Sequence, residues 1–256
     1  AMSVGLVGSE MCIRDSAQRE HRRQRVRSGA MTVGFVGYTN AGKSSLFQHL
    51  SGKTVLVEDQ LFSTLETTVG RMEKSPRILL ADTIGFIDNI PNATLTAFKA
   101  TIAEAIDADL TLILVDTSDP LDEVRRKLET TRREVLERQE HEPEALEEGR
   151  PPQVVLTKID VSTAEQQQAA SDLVVSHGFP TPVAVSSMTG EGVDELQRFI
   201  REQLFGAPVQ VHVHPPSAAS PDATERIVSS VYDQGMVEVD ERSEQGSAVL
   251  KVWITA

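Results

Sequence analysis

The 256-residue chain has a single cysteine, Cys12, and so can form neither an internal disulfide nor a cysteine metal site. That fits a reducing compartment and argues against redox chemistry. No apolar run approaches the roughly 18 residues that a membrane-spanning helix requires. The first residues do not combine a basic region, an apolar stretch and a small-residue cleavage site, so no secretory signal is read there. A soluble, cytoplasmic protein without a membrane span is the expectation. Positive charge is also scarce, since 25 lysines and arginines against 38 acidic residues leave a formal charge of −13. Phosphate contact needs clustered lysine and arginine, so broad nonspecific binding to nucleic acid, DNA included, is not expected. The acidic balance, with arginine preferred to lysine, resembles proteins of a high-salt cytoplasm, where acidic surfaces stay hydrated. One local exception is REHRRQRVR at residues 19–27, which suits either RNA contact or a solvated helix face.

With 39% hydrophobic residues, the chain can bury one large α/β core and a smaller one. Short apolar runs at 32–36, 77–81, 110–115, 154–156 and 183–185 read as strands. Between them lie helical spacings: Leu46, Phe47 and Leu50; Leu95, Phe98, Ile102 and Ile106; Leu121, Val124, Leu128 and Val135; Val193, Leu196, Ile200 and Leu204. Strands alternating with amphipathic helices predict a mostly parallel sheet covered on both faces, with ligands bound at the loops that follow the strands. The acidic stretch QEHEPEALEEGRPP at 139–152 reads as a surface insertion. The Pro- and Ser-rich stretch 206–222 reads as a linker built around a strand at 209–213. Beyond it, Ile227, Val228 and Val231, then 236–239 and 248–254, suggest a small α/β unit. His212 and His214 would leave one face of a strand, but no third ligand stands near them and no metal is assigned there.

Four short motifs follow strands in order. GYTNAGKS at 37–44 fits the pattern GxxxxGK[ST] between a strand and a helix. There Gly37, Asn40, Ala41, Gly42 and Ser45 would wrap phosphate, Lys43 would bridge the β and γ phosphates, and Ser44 would coordinate Mg²⁺. DTIG at 82–85 places Asp82 to hold Mg²⁺ through water and Gly85 to sense the γ phosphate. Thr157, Lys158 and Asp160 of TKID, with Ser186, Ser187 and Met188 of SSM, decide the base. The Asp160 carboxylate can accept from guanine N1–H and its amine, a donor pair that adenine lacks. Lys158 would pack its stem over the base, and a backbone N–H around Ser187 would meet the guanine oxygen. GTP and GDP are therefore the expected ligands, and an ATP-dependent enzyme is disfavoured by Asp160.

The segments GYTNAGKSSLF, DQLFSTLETT, DTIGFIDNIP, AFKATIAEA, DADLTLILVDTSDP, TKID and SSMTGEG resemble the HflX branch of translation-associated GTPases, from about Ala17 to the end. The tail VYDQGMVEVDERSEQG is similar to that family's small C-terminal domain. The resemblance implies a P-loop three-layer α/β/α sandwich with a mostly parallel sheet, plus a small C-terminal α/β domain. It also implies GTP hydrolysis coupled to the large ribosomal subunit. On this reading residues 30–206 form the GTPase domain and 207–256 the C-terminal domain. Residues 17–29 form a basic helix left from a helical linker, the family's N-terminal domain being largely absent. Residues 1–16 do not resemble the family; between a strand remnant and a foreign leader, the leader is favoured.

Many GTPases place a glutamine just after DxxG to orient the attacking water, but here the residue is Phe86. Slow intrinsic turnover follows. Asn40 matches the asparagine that resembles a potassium ligand in cation-activated relatives, where K⁺ supplies transition-state charge. Its alternative role is to hydrogen-bond the loop. Thr64 is the candidate for the threonine that closes onto Mg²⁺ and the γ phosphate, with Thr67 and Thr68 as competitors. Lys43, Thr64 and Asn40 make up the catalytic set. The alternative to a working GTPase is a nucleotide-binding module whose hydrolysis is negligible.

Overall fold

The computed structural model describes residues 30–52, 68–74, 77–83, 85–86, 102–103, 105–141, 150–213, 222–242 and 247–254. Strand β1 (Ala30–Gly37) leads into helix α1 (Lys43–Ser51). There follow β2 (Thr68–Lys74), β3 (Arg77–Asp82), β4 (Leu110–Asp116), α2 (Leu121–His141), β5 (Gln153–Thr157), α3 (Ala164–Ser176), β6 (Val183–Ala184) and α4 (Val193–Phe205). The six strands form one sheet in the order β2-β3-β1-β4-β5-β6, parallel except for the antiparallel β2. Chain order reverses at β1, which pairs with β3 on one side and β4 on the other. The loop that leaves β1 therefore opens at the crevice where such sheets take their ligands.

Burial follows the two periods of the backbone. All seven residues of β4 (LTLILVD) are buried, as a central parallel strand covered on both faces requires. Alternate residues go to opposite layers. Leu110, Leu112 and Leu114 join Leu46, Phe47 and Leu50 of α1 and Leu196, Ile200 and Leu204 of α4. Ile113 and Val115 join Val124, Leu128 and Val135 of α2 and Leu173 and Val174 of α3. Each fully buried leucine or phenylalanine contributes roughly 1.5–3 kcal/mol. Leu121, read as part of the α2 stripe, is instead 44% exposed at the first turn of that helix.

The remaining strands, β7 (Val209–Val213), β8 (Gly235–Arg242) and β9 (Ala248–Ile254), form a second sheet in the order β7-β9-β8. Helix α5 (Asp222–Gln234) packs on it through Val228, over Val213, Leu250 and Val252. Among the described residues, Trp253 joins this small sheet to the first core. Trp253 of β9 is buried in the same cluster as Leu196, Ile200 and Leu204, its Nε1 donates to the Gly206 carbonyl at 3.0 Å, and the Arg201 guanidinium lies 5.6 Å from its ring centre. Residues 1–29, Leu95, Phe98, most of the acidic insertion and His214 lie outside the described residues.

Candidate nucleotide site

The loop between β1 and α1 is shaped by residues that accept a left-handed backbone. Gly42, at φ 83°, is the N-cap of α1 and offers no side chain to cap it, and the first turn of α1 holds no acidic residue. The first amides of that helix, at the positive end of its dipole, are thus arranged for an external anion. Asn40 sits at φ 63°, a region that asparagine tolerates better than most residues. Lys43 is buried, and its Nζ donates to the carbonyls of Tyr38 at 2.6 Å and Gly37 at 3.2 Å. Burial draws its ammonium down to about 8, with the Asp82 charge opposing.

Asp82 ends β3 and is 3% exposed, yet neither carboxylate oxygen has a hydrogen-bond partner among the described residues. Burial pushes its carboxyl up; the nearby Ser44 hydroxyl, Lys43 ammonium and Thr83 amide pull it back without making a hydrogen bond to it. An unpartnered buried carboxylate is costly. One beside a serine hydroxyl fits a hard divalent cation such as Mg²⁺, whose preferred ligands are oxygens. The next residues are tied to the phosphate loop. Thr83 Oγ1 donates to the Phe35 carbonyl at 2.7 Å, Phe86 N donates to the Gly37 carbonyl at 2.9 Å, and Thr39 N donates to the Phe86 carbonyl at 2.9 Å. Gly85 is required by this approach. A Cβ there would run into Lys43 Nζ and stand 2.6 Å from Thr39 N.

Phe86 is buried, in one cluster with Ile102, Ala105 and Ile106, and its ring centre lies 6.0 Å from that of Tyr38. Tyr38 was not singled out from the sequence. Its ring carries the Arg126 guanidinium at 5.3 Å and the Lys127 ammonium at 5.8 Å, so α2 bears directly on the phosphate loop. Thr64 and Thr67 lie outside the described residues. Thr68 opens β2 directly opposite Asp82 in the antiparallel register.

The base motifs converge on the same edge. Thr157 Oγ1 donates to the Ala41 carbonyl at 2.9 Å and to Val115 at 3.1 Å, fastening the end of β5 to the phosphate loop. Lys158 stands at φ 60°, and its Nζ meets Asp116 Oδ2 at 2.5 Å. A strained non-glycine backbone of this kind persists only where its surroundings fix it, here the ion pair and the buried Thr157. Ser186 Oγ donates to Asp160 Oδ1 at 2.6 Å and accepts from Met188 N at 3.2 Å and Thr189 N at 3.1 Å. Ser186 and Asp160 are thus one unit. Met188 is 84% exposed. Asp116 and Thr157 matter through partners distant in sequence, a relation that no local motif displays.

Sheet order, phosphate loop and base motifs together define a P-loop nucleotide-binding fold of the GTPase type. The family described as "50S ribosome-binding GTPase" matches residues 32–158, and the family described as "HflX C-terminal domain" matches residues 174–256. The chain belongs to the HflX family. It is 35% identical to the GTPase HflX of Akkermansia muciniphila, over 97% of this chain and 55% of that protein. To the GTPase HflX of Escherichia coli it is 33% identical, over 92% of this chain and 52% of that protein. The chain spans about half the length of these relatives. Among solved structures it is similar in fold to SsGBP in complex with GDP (TM-score 0.51, 24% identity, 76% of this chain and 57% of that one). It is likewise similar to Era in complex with MgGDPNP and nucleotides of 16S ribosomal RNA (TM-score 0.50, 19% identity, 84% of this chain and 74% of that one). No helix among the described residues is long and apolar enough to cross a membrane.

Proposed function

We propose that the chain binds GTP and GDP with Mg²⁺, hydrolyses GTP slowly, and uses the difference between the two states to change its hold on the large ribosomal subunit. The observation that carries the guanine assignment is the Ser186–Asp160 pair. One carboxylate oxygen is held by Ser186, and a carboxylate retains capacity to accept both guanine N1–H and the exocyclic amine. Lys158, anchored through its ammonium to Asp116, carries its stem across the base. The phosphate end falls to Lys43 and the uncapped amides of α1. Ser44 and Asp82 would hold Mg²⁺, which when bound would supply positive charge to the phosphate oxygens.

Slow turnover follows from Phe86. Its side chain is spent in the core against Tyr38 and Ile102 and has no polar atom with which to orient water. Thr64, with Thr67 and Thr68 as competitors, is proposed to close over the γ phosphate. The ribosomal part of the reading is supported by the family matched over residues 32–158. Sedimentation of the chain with large ribosomal subunits, in GDP and in a nonhydrolysable GTP analogue, tests the proposal. More chain in the pellet with the analogue is expected; equal pelleting would contradict the nucleotide-dependent hold.

A further inference from the structure

Helix α3 starts directly after the loop that carries Asp160, and its three successive glutamines make three different contacts. Gln166 closes the capping box with Thr163, and Gln168 donates to Asp172 Oδ1 at 2.8 Å. Gln167 reaches back to the loop. Its Nε2 donates to the Ile159 carbonyl at 3.0 Å and to the Ser162 carbonyl at 3.3 Å. Carbonyls only accept, so the amide nitrogen, with its two hydrogens, is the end that faces them.

The Ile159 carbonyl belongs to the same peptide as the Asp160 N–H, so Gln167 holds the peptide plane that enters the Asp160 Cα. The plane that leaves it is held as well. The Asp160 carbonyl shares its peptide with Val161 N, which donates to the Lys158 carbonyl at 3.1 Å. With both planes held, φ and ψ of Asp160 are set, and with them the direction of its Cα–Cβ bond. Ser186 Oγ then sets the carboxylate by donating to Oδ1 at 2.6 Å. Gln167 itself stands on a fixed support, because its backbone N donates to the Thr163 carbonyl at 3.0 Å and the capping box holds that first turn.

We infer that Gln167 is a positioning residue for guanine recognition: it holds the Ile159–Asp160 peptide so that the Asp160 carboxylate stands where guanine N1–H and the 2-amine arrive. This rests on the guanine reading above, and it adds a residue from outside the four motifs. Asp160 is exposed and open to a ligand, whereas Gln167 is half-buried with its amide nitrogen spent on the loop. The effect of Gln167 is modest, as that of a partly exposed hydrogen bond is, and it passes through Asp160.

Gln167→Met keeps the length and helix preference of glutamine and removes the donors, so the variant should fold as the wild-type chain does. Affinities for GDP and ADP, with Mg²⁺ present, are compared for the wild-type chain, Gln167→Met, Gln167→Ala, Asp160→Ala and the double variant of Gln167→Met with Asp160→Ala. The expected result is a loss of GDP affinity of roughly threefold to tenfold in Gln167→Met, with ADP affinity unchanged because adenine offers Asp160 no donor pair. Gln167→Ala, which removes the stem as well, should give the same factor. In the Asp160→Ala background Gln167→Met should cost nothing further, since the two residues act as one. Wild-type GDP affinity in Gln167→Met, or a loss confined to Gln167→Ala, would overturn the inference. So would equal losses for GDP and ADP, or the same loss with and without Asp160, which would mean a general loosening of the loop. A wild-type chain with no preference for GDP over ADP, or an Asp160→Ala chain that keeps the wild-type preference, would instead overturn the guanine reading itself.

Discussion

Lys43 and Asp82 are both buried, and each is driven by desolvation toward its neutral form, the lysine downward to about 8 and the aspartic acid upward. Such a pair is retained where charged ligands complete it, and the two side chains sit where phosphate and a cation would do so. Lys43→Ala is expected to weaken GDP binding about 100-fold or more, the scale of roughly 3 kcal/mol for hydrogen bonds to a charged group. Phe86→Ala should do the reverse. Its ring fills the layer against Tyr38, so chemical denaturation should report a loss of about 3–5 kcal/mol while GDP affinity stays within a few fold. Undiminished GDP affinity in the Lys43 variant would refute the phosphate assignment. Asn40 calls for a different test. Its left-handed backbone accounts for an asparagine without any cation, so equal GTPase rates in KCl and NaCl at matched ionic strength are expected; faster turnover in KCl would assign its side chain to potassium.

Elements with a strong period or an unbroken apolar run were legible. Strand β4 is an apolar run that the sheet buries whole, and α4 buries the same four residues that its spacing picks out. Strand β2 and helix α3 were not legible. The β2 sequence TVGRMEK is a polar edge strand with a glycine and an irregular register, and its antiparallel pairing with β3 gives it an order that its own pattern lacks. Helix α3 carries three glutamines in its first two turns and buries only Ala170, Leu173 and Val174. Its start is set by the Thr163 and Gln166 capping box, a weaker signal than the apolar stripes of the other helices. In the site, the motifs named candidate residues for a nucleotide, but not what holds those residues. Thr157 shows the difference, since its hydroxyl binds a carbonyl 116 residues away. Thr157→Val keeps the shape and removes the hydroxyl donor shared by the Ala41 and Val115 carbonyls. A stability loss of roughly 1–3 kcal/mol and weaker GDP binding are expected from denaturation and titration.

At the scale of the molecule, composition argued for two units; the described residues form two sheets that share a core residue. The joint is Trp253, the chain's single tryptophan. Its position could not be read beforehand, because a tryptophan in a short strand looks like part of that strand's own small core. Trp253→Ala should remove the bond to Gly206 and the packing on α4, at a cost of about 3–5 kcal/mol. In the wild-type chain, tryptophan emission should be that of a buried indole until the α4 layer melts, and the two should be lost together on denaturation. Independent transitions for tryptophan emission and for the helical signal would argue that the small sheet is not docked as described.

The central claim is that Asp160 makes this P-loop protein a reader of guanine. It is tested most directly by Asp160→Asn, measured against GDP and XDP, whose xanthine base carries an oxygen where guanine carries the 2-amine. An amide at position 160 can donate to that oxygen and no longer pairs with the amine as a carboxylate does. The account predicts that the wild-type chain prefers GDP and that the variant prefers XDP. A variant that keeps the wild-type preference for GDP would contradict it.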